Sequence, residues 1–199
     1  MVKQERGVRT RSLLVETAAT EFDRAGYEGT SMSRLSHAAS VSTGALTFHF
    51  ATKSELAAAV EESGCSAVRE AVEEAMAPGG PALDTLAAVV LALASLAERE
   101  PAVRAAARLA QERREGGRGW LCHWLPQVEA LLQRAASQRQ LAPDVAPRTV
   151  VLLVLHLVCG TVARAREAGD DSSGEAVREL AEQWRLVRRG IVAPAAARR

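Results

Sequence analysis

The chain has 199 residues and a net charge of +1, so it holds one large or two modest domains and lacks the overall basicity that would itself point to nucleic acid. Hydrophobic residues at 48% supply a core, and aromatics at only 4% favour helices packed through Ala, Leu and Val over a β-sandwich. Cys65, Cys122 and Cys159 are far apart and odd in number, which excludes a disulfide framework or metal spacing and fits a reducing cytosol.

The first helix is expected from about Arg6 to Ala25, with Leu14, Ala18 and Phe22 on one face and Gly26 as its stop. Lys3, Arg6, Arg9 and Arg11 make the N-terminus basic, as a flexible arm or as a solvated terminus. The N-terminus is charged and has no hydrophobic segment, so it does not read as a signal peptide. Tyr27 then covers the end of a small domain.

Residues 31–53 carry the strongest signal. Ser31 or Ser33 can cap a short helix whose narrow buried face is Leu35 and Ala38, helped by Ala39. Ser40-Val41-Ser42 is a turn plugged by Val41. In a second short helix Leu46 and Phe50 point inward, Gly44 and Ala45 allow close packing, and Thr43, Thr47 and His49 face out. This is the pattern of a helix-turn-helix, whose second helix enters the DNA major groove. Small hydroxyls there suit phosphates and base edges, and a threonine methyl suits a thymine methyl. Lys53 and Ser54 open the next helix, whose N-terminus suits a phosphate. The expected DNA-contacting set is Ser31, Ser33, Ser42, Thr43, Gly44, Thr47, His49 and Lys53, with double-stranded operator DNA as the partner.

From about Arg9 to Val60 the chain resembles the TetR family of regulators. The resemblance rests on Arg11-Ser-Leu-Leu-Val-Glu-Thr-Ala-Ala, Phe22-Asp-Arg-Ala-Gly-Tyr-Glu-Gly-Thr-Ser and Val41-Ser-Thr-Gly-Ala-Leu-Thr-Phe-His-Phe-Ala-Thr-Lys-Ser-Glu-Leu. Phe48-His49-Phe50 and the stretch from Leu180 to Ile191 look like the γ-butyrolactone receptor branch of actinobacteria. Two positions depart from the pattern: the family usually has Tyr at Thr47, and butyrolactone receptors often have Lys at Thr43. Two backbone contacts that the resemblance implies are therefore altered.

A fourth helix is expected from Lys53 towards Ala77, then a break at Pro78-Gly-Gly-Pro81. Leu83–Glu100 is Ala- and Leu-rich, and Pro101 opens a helix through about Arg113. A glycine-rich break at 115–119 precedes a helix from Trp120 to Gln140, disturbed at Pro126, which lacks an N–H and must bend the helix or make it start late. Thr149–Ala163 is an uncharged run too short for a membrane span, better read as a core or interface helix. Within it Val150, Val154, Leu157 and Thr161 form a stripe. After a loop at 169–174, the last helix carries Val177, Leu180, Trp184, Val187 and Ile191 at helical spacing, and the tail from Ala193 frays. These two late helices could form a homodimer seam or complete the monomer core; the resemblance supports the dimer.

Trp120 and Trp124, four apart, would share one helical face with Val128. They could wall a pocket for a small apolar effector, or simply pack in the core. His156 joins this expected ligand-binding set. The chain shows no Ser-His-Asp grouping, metal-spaced His/Cys set or phosphate loop, so no catalytic residue and no cofactor is expected, and an enzyme reading is rejected.

The reading is an all-α fold. Residues 1–66 form a helix-turn-helix DNA-binding domain and residues 67–199 a helical effector-binding and dimerisation domain. The implied function is a cytoplasmic repressor, not membrane-bound, released from its operator when ligand entry shifts the fourth helix. The resemblance suggests a γ-butyrolactone, a butenolide or an antibiotic as effector, and control of secondary metabolism. The rival is a ligand-independent dimeric DNA-binding protein whose C-terminal part is purely structural.

Overall fold

A computed structural model describes residues 2–113, 119–169 and 174–193. Most of the glycine-rich break after Glu112, the centre of the loop before the last helix and the tail from Pro194 lie outside those residues. The described chain is helical: α1 (Val2–Ala25), α2 (Met32–Ala38), α3 (Thr43–His49), α4 (Lys53–Met76), α5 (Ala82–Arg99), α6 (Pro101–Glu112), α7 (Leu125–Ser137), α8 (Pro147–Ala168) and α9 (Glu175–Ile191).

The chain packs as two units, Met1–Ala67 with Glu100–Leu121, and Val68–Arg99 with Cys122–Arg199. The first boundary falls one residue beyond the expected 66, but the segment containing α6 returns to the N-terminal unit. The reason is chemical. The inner residues Ala105 and Leu109 of α6 join the same core as Leu14, Ala18 and Phe22 of α1. Polar groups on α6 also meet groups at the end of α1.

In the first unit, Leu14, Val15, Ala18 and Phe22 of α1 recur every three or four residues and are buried with Leu35, Leu46, Phe50, Leu56 and Val60. The helix begins at Val2, so Arg6, Arg9 and Arg11 ride on it and the flexible-arm reading is replaced; the Lys3 side chain lies outside the described residues. Gly26 ends α1 with φ +73, and a Cβ there would sit 2.5 Å from Glu112 Oε1.

In the second unit α5 is the central element and packs against α7, α8 and α9. It buries Leu83, Leu86, Val89, Val90, Leu93 and Ala97. The partners contribute Val128, Leu131 and Leu132 from α7, Val150, Val154 and Val158 from α8, and Leu180 and Trp184 from α9. Backbone hydrogen bonds from Ala142 N to Ile191 O and from Ala193 N to Gln140 O, both 2.9 Å, tie the end of α9 to the α7–α8 connection. With 22 residues, α8 is long and apolar enough to cross a membrane by length and composition alone, longer than the uncharged run suggested. Its inner stripe is packed in this unit.

Candidate nucleic-acid interface

The first short helix is built by caps. Ser31 is extended and its Oγ accepts from Arg34 N at 3.2 Å, which settles the cap in favour of Ser31 over Ser33. Ser33 is exposed inside the helix, and its carbonyl accepts from Ser36 Oγ at 2.9 Å. The buried face is Leu35, Ser36 and Ala39, while Ala38, expected inside, is exposed. Ser36 can be buried because its hydroxyl is satisfied by the Ser33 carbonyl and lies 3.3 Å from Thr43 Oγ1.

The turn is a Schellman closure. Ser40 takes φ 54, its N–H donates to His37 O, and Val41 N–H donates to Ser36 O, each at 3.0 Å. Val41 packs, partly buried, against the core. Ser42 is the cap of α3, accepting from Ala45 N at 3.1 Å. Leu46 and Phe50 hold α3 to the core, as expected.

The outer side of α3 presents exposed Thr43, Gly44, Thr47 and Phe48 with half-buried His49. Gly44 does not face a neighbouring helix: a Cβ there would meet nothing closer than Ser42 Oγ at 4.0 Å, so it leaves an open notch. Phe48 is 84% exposed and sits edge-to-face with His49, ring centroids 5.3 Å apart. It is missing from the residues expected to contact DNA. Helical spacing from Leu46 and Phe50 is the signal that places Phe48 outward, beside the two hydroxyl residues.

Lys53 is occupied. Its Nζ donates to Tyr27 O at 2.9 Å and lies 4.0 Å from the centre of the Tyr27 ring. The start of α4 is also more enclosed than expected: Thr52 Oγ1 accepts from Glu55 N, and Glu55 Oε2 accepts from Ala51 N. A carboxylate in that first turn opposes a phosphate. Arg11 lies 4.8 Å above the Phe50 ring, and Arg34 is paired with Glu21.

A polar network within the first unit was not foreseen. Arg104 Nε donates to Asp23 Oδ2 at 2.6 Å, both side chains buried. Arg108 Nη1 donates to the carbonyls of Asp23 (2.8 Å) and Arg24 (3.1 Å), groups that the end of α1 leaves without helical partners. Glu112 Oε2 accepts from Tyr27 N at 2.6 Å. Arg113 donates to Glu61 (3.1 Å) and Ser54 (2.8 Å) and lies 5.1 Å from the Tyr27 ring centre. Burial pushes the Glu61 carboxyl above its ordinary value, against the opposing pull of Arg113. Thus α6 is fastened to the α1–α2 connection and to α4 by directional groups.

The expected ligand wall is rearranged. Residues Gly119–His123 form a 3-10 turn, and α7 starts at Leu125 with Pro126 in its first turn. The late start is what Pro126 imposes. Trp120 and Trp124 therefore do not share one helical face. Trp120 is buried on the turn and belongs to the first unit; Trp124 is the N-cap of α7 in the second and is buried beneath its surface. Val128 is buried one turn on, its N–H donating to Trp124 O at 3.1 Å.

His156 separates from this set. It lies opposite the buried Val154 and Val158 stripe of α8, is exposed, and borders a groove of about 250 Å³ with Leu157, Gly160 and Arg164 of α8 and Leu180 and Gln183 of α9. Burial pushes the Cys159 thiol up. Among the described residues no cluster of His, Cys, Asp and Glu could hold a metal ion.

Two capped helices, a left-handed turn and an exposed outer face on the second helix define a helix-turn-helix protein of the DNA-binding class. Residues 14–60 match the family described as bacterial regulatory proteins, tetR family. The chain is 28% identical over 196 residues to the A-factor receptor protein of Streptomyces griseus, covering 98% of this chain and 68% of that protein. Its structure is similar to a γ-butyrolactone receptor (ArpA-like protein), with 30% identity, TM-score 0.77, and coverage of 94% of this chain and 90% of that one. It is equally similar to CprB from Streptomyces coelicolor, a TetR family protein solved in complex with its biological operator sequence, with 30% identity, TM-score 0.78 and the same coverage. The chain belongs to the TetR family of DNA-binding transcriptional regulators, in its γ-butyrolactone receptor branch.

Proposed function

We propose that this regulator is a cytoplasmic, homodimeric repressor that holds a pseudo-palindromic operator through α3 and lets go when a small, largely apolar effector binds its second unit. The observation that carries the DNA side is the outer face of α3: it is exposed, while Leu46 and Phe50 anchor the same helix from within. Ser31, Ser42, Thr43, Thr47 and His49 are the polar contacts, with Ser33 beside them, and Gly44 gives clearance. Lys53 acts chiefly by fixing Tyr27 and the start of α4. Selection from random duplexes should return a two-fold symmetric site. Replacing Thr43 and Thr47 together by Glu should abolish its binding; unchanged binding would overturn the assignment.

The dimer reading is supported by what α8 and α9 leave outside: Leu152 (48% exposed), Leu153 (38%) and Leu186 (67%). The similarity to a γ-butyrolactone receptor supports a γ-butyrolactone as effector; a butenolide or an antibiotic, and control of secondary metabolism, extend that reading. Two groups in the second unit suit such a molecule. The buried Trp184 indole N–H has no hydrogen-bond acceptor, and the buried Gln127 side-chain oxygen has no donor, among the described residues. A lactone carbonyl and a ligand hydroxyl would satisfy them, and an unmade buried hydrogen bond costs about 1–3 kcal/mol. The same unit has Trp124 and Val128 fully packed, which favours the ligand-independent alternative. Titrating the operator complex with a synthetic γ-butyrolactone separates them: release supports an effector, and release by the wild type but not by Trp124→Ala places Trp124 beside it.

A further inference from the structure

The recognition surface differs in chemistry from a row of free hydroxyls. Thr47 Oγ1 already donates to Gly44 O at 3.2 Å, and Thr43 Oγ1 lies 3.3 Å from Ser36 Oγ. Each hydroxyl thus has a partner inside the protein. Beside them the helix carries the open notch at Gly44 and, one turn later on the same side, the Phe48 ring. Phe48 is the most exposed of the large hydrophobic residues in the described structure, in a chain with only three phenylalanines; the other two, Phe22 and Phe50, are in the core. It has no counterpart to pack on except the edge of His49. An apolar ring on the face of a groove-reading helix needs an apolar partner in the groove. Among the base edges of the major groove, only thymine presents a carbon substituent, its C5 methyl.

We propose that Phe48 is a specificity-determining residue that reads the C5 methyl of one thymine in each operator half-site, with the Gly44 notch letting the helix seat close enough for contact. This rests on the DNA-binding reading above. It also accounts for how a recognition helix with Thr at 43 and 47, in place of longer polar residues, still selects a sequence: part of the readout is apolar.

The test uses the full-length protein and the duplex selected by it from a random pool. Each thymine is replaced in turn by deoxyuridine, which removes only the methyl. Losing one buried methyl-sized contact corresponds to about fourfold in affinity for one half-site and about sixteenfold for both. The wild type should show that loss at one symmetric thymine pair. Phe48→Ala, at an exposed position and so without effect on folding, should bind the thymine and uracil duplexes equally at that pair. Phe48→Leu should recover part of the discrimination. Retention of full thymine preference by Phe48→Ala, or no methyl-dependent position for the wild type, overturns the proposal while leaving DNA binding intact. Failure of the wild type to select any duplex overturns the DNA-binding reading and this inference together.

Discussion

The two units differ in where their charged contacts lie: inside the first, at the surface of the second. The first has an apolar core plus a set of directional charged contacts: Asp23 with Arg104, Arg108 with the end of α1, Glu112 with Tyr27 N, and Arg113 with Glu61. The second is packed through aliphatic side chains of α5, α7 and α8, carries its ion pairs, Arg188 with Asp84 and Arg164 with Glu179, on exposed side chains, and leaves leucines on its outside. Apolar packing tolerates small slides, whereas paired charges with short hydrogen bonds have one arrangement. A regulator needs both. The spacing of two recognition helices must match the DNA repeat, so the reading unit requires fixed geometry. A unit that answers an effector, as proposed above, requires room to repack.

That contrast can be broken most forcefully at the buried ion pair. Arg104→Met should destabilise the protein by about 3–5 kcal/mol, because Asp23 stays buried without that guanidinium. Combining it with Asp23→Leu should recover most of the loss in chemical denaturation. A single-variant loss below about 1 kcal/mol would mean that the first unit, too, depends on apolar packing alone.

In the second unit the comparable probe is purely volumetric. Trp124→Ala should cost about 3–5 kcal/mol through the cavity it leaves. Apolar compounds that fill the cavity should restore thermal stability, as no small apolar molecule could for Arg104→Met.

A milder change tests the outer leucines. Leu153→Glu should leave the protomer within about 0.5 kcal/mol of wild type, since the site is on the surface. Sedimentation should nonetheless shift to monomers, and operator binding should fall with it. A dimer that survives this variant together with Leu186→Glu would remove α8 and α9 from the interface.

The smallest effect sharpens the electrostatic side. Glu61 has a folded-state pKa raised above its ordinary value of 4.5. The folded protein therefore binds the proton more readily than the unfolded chain, and this group adds stability as pH falls through its raised value towards 4.5. Compared with Glu61→Gln, the wild type should gain slightly between neutral pH and the ordinary carboxylate range. The opposite slope would show that Arg113 outweighs desolvation.

Much of this architecture was readable from residue order. The α1 stripe, the Gly26 stop, the Val41 plug and the inward Leu46 and Phe50 all follow from helical spacing and local cap chemistry, which act over a few residues. What sequence spacing could not supply were contacts between distant segments. Nothing local pairs Asp23 with Arg104, or brings Glu112 to Tyr27 N, so the packing of α6 with the N-terminal helices is not visible in residue order. Lys53 looked free for phosphate because Tyr27, 26 residues earlier, is invisible to a local pattern. The α8 stripe illustrates a further limit. Periodicity puts Val150, Val154, Leu157 and Thr161 on one side; Val150, Val154 and Thr161 are buried within the unit and Leu157 is half-buried, while Leu152 and Leu153 are the exposed leucines. At Trp120 and Trp124 a four-residue spacing implied a shared face that Pro126 prevents.

Tyr27 is the only tyrosine in the chain, and its ring centre lies 4.0 Å from Lys53 Nζ and 5.1 Å from the Arg113 guanidinium. Chance has thus put a spectroscopic reporter where the reading head is fastened to α6. Fluorotyrosine labelling would yield one fluorine resonance, shifted by two nearby positive charges and free of overlap. Any rearrangement that loosens α6 would move that line, so binding of DNA or of a small molecule could be followed at one atom, in solution, with no substitution in the protein.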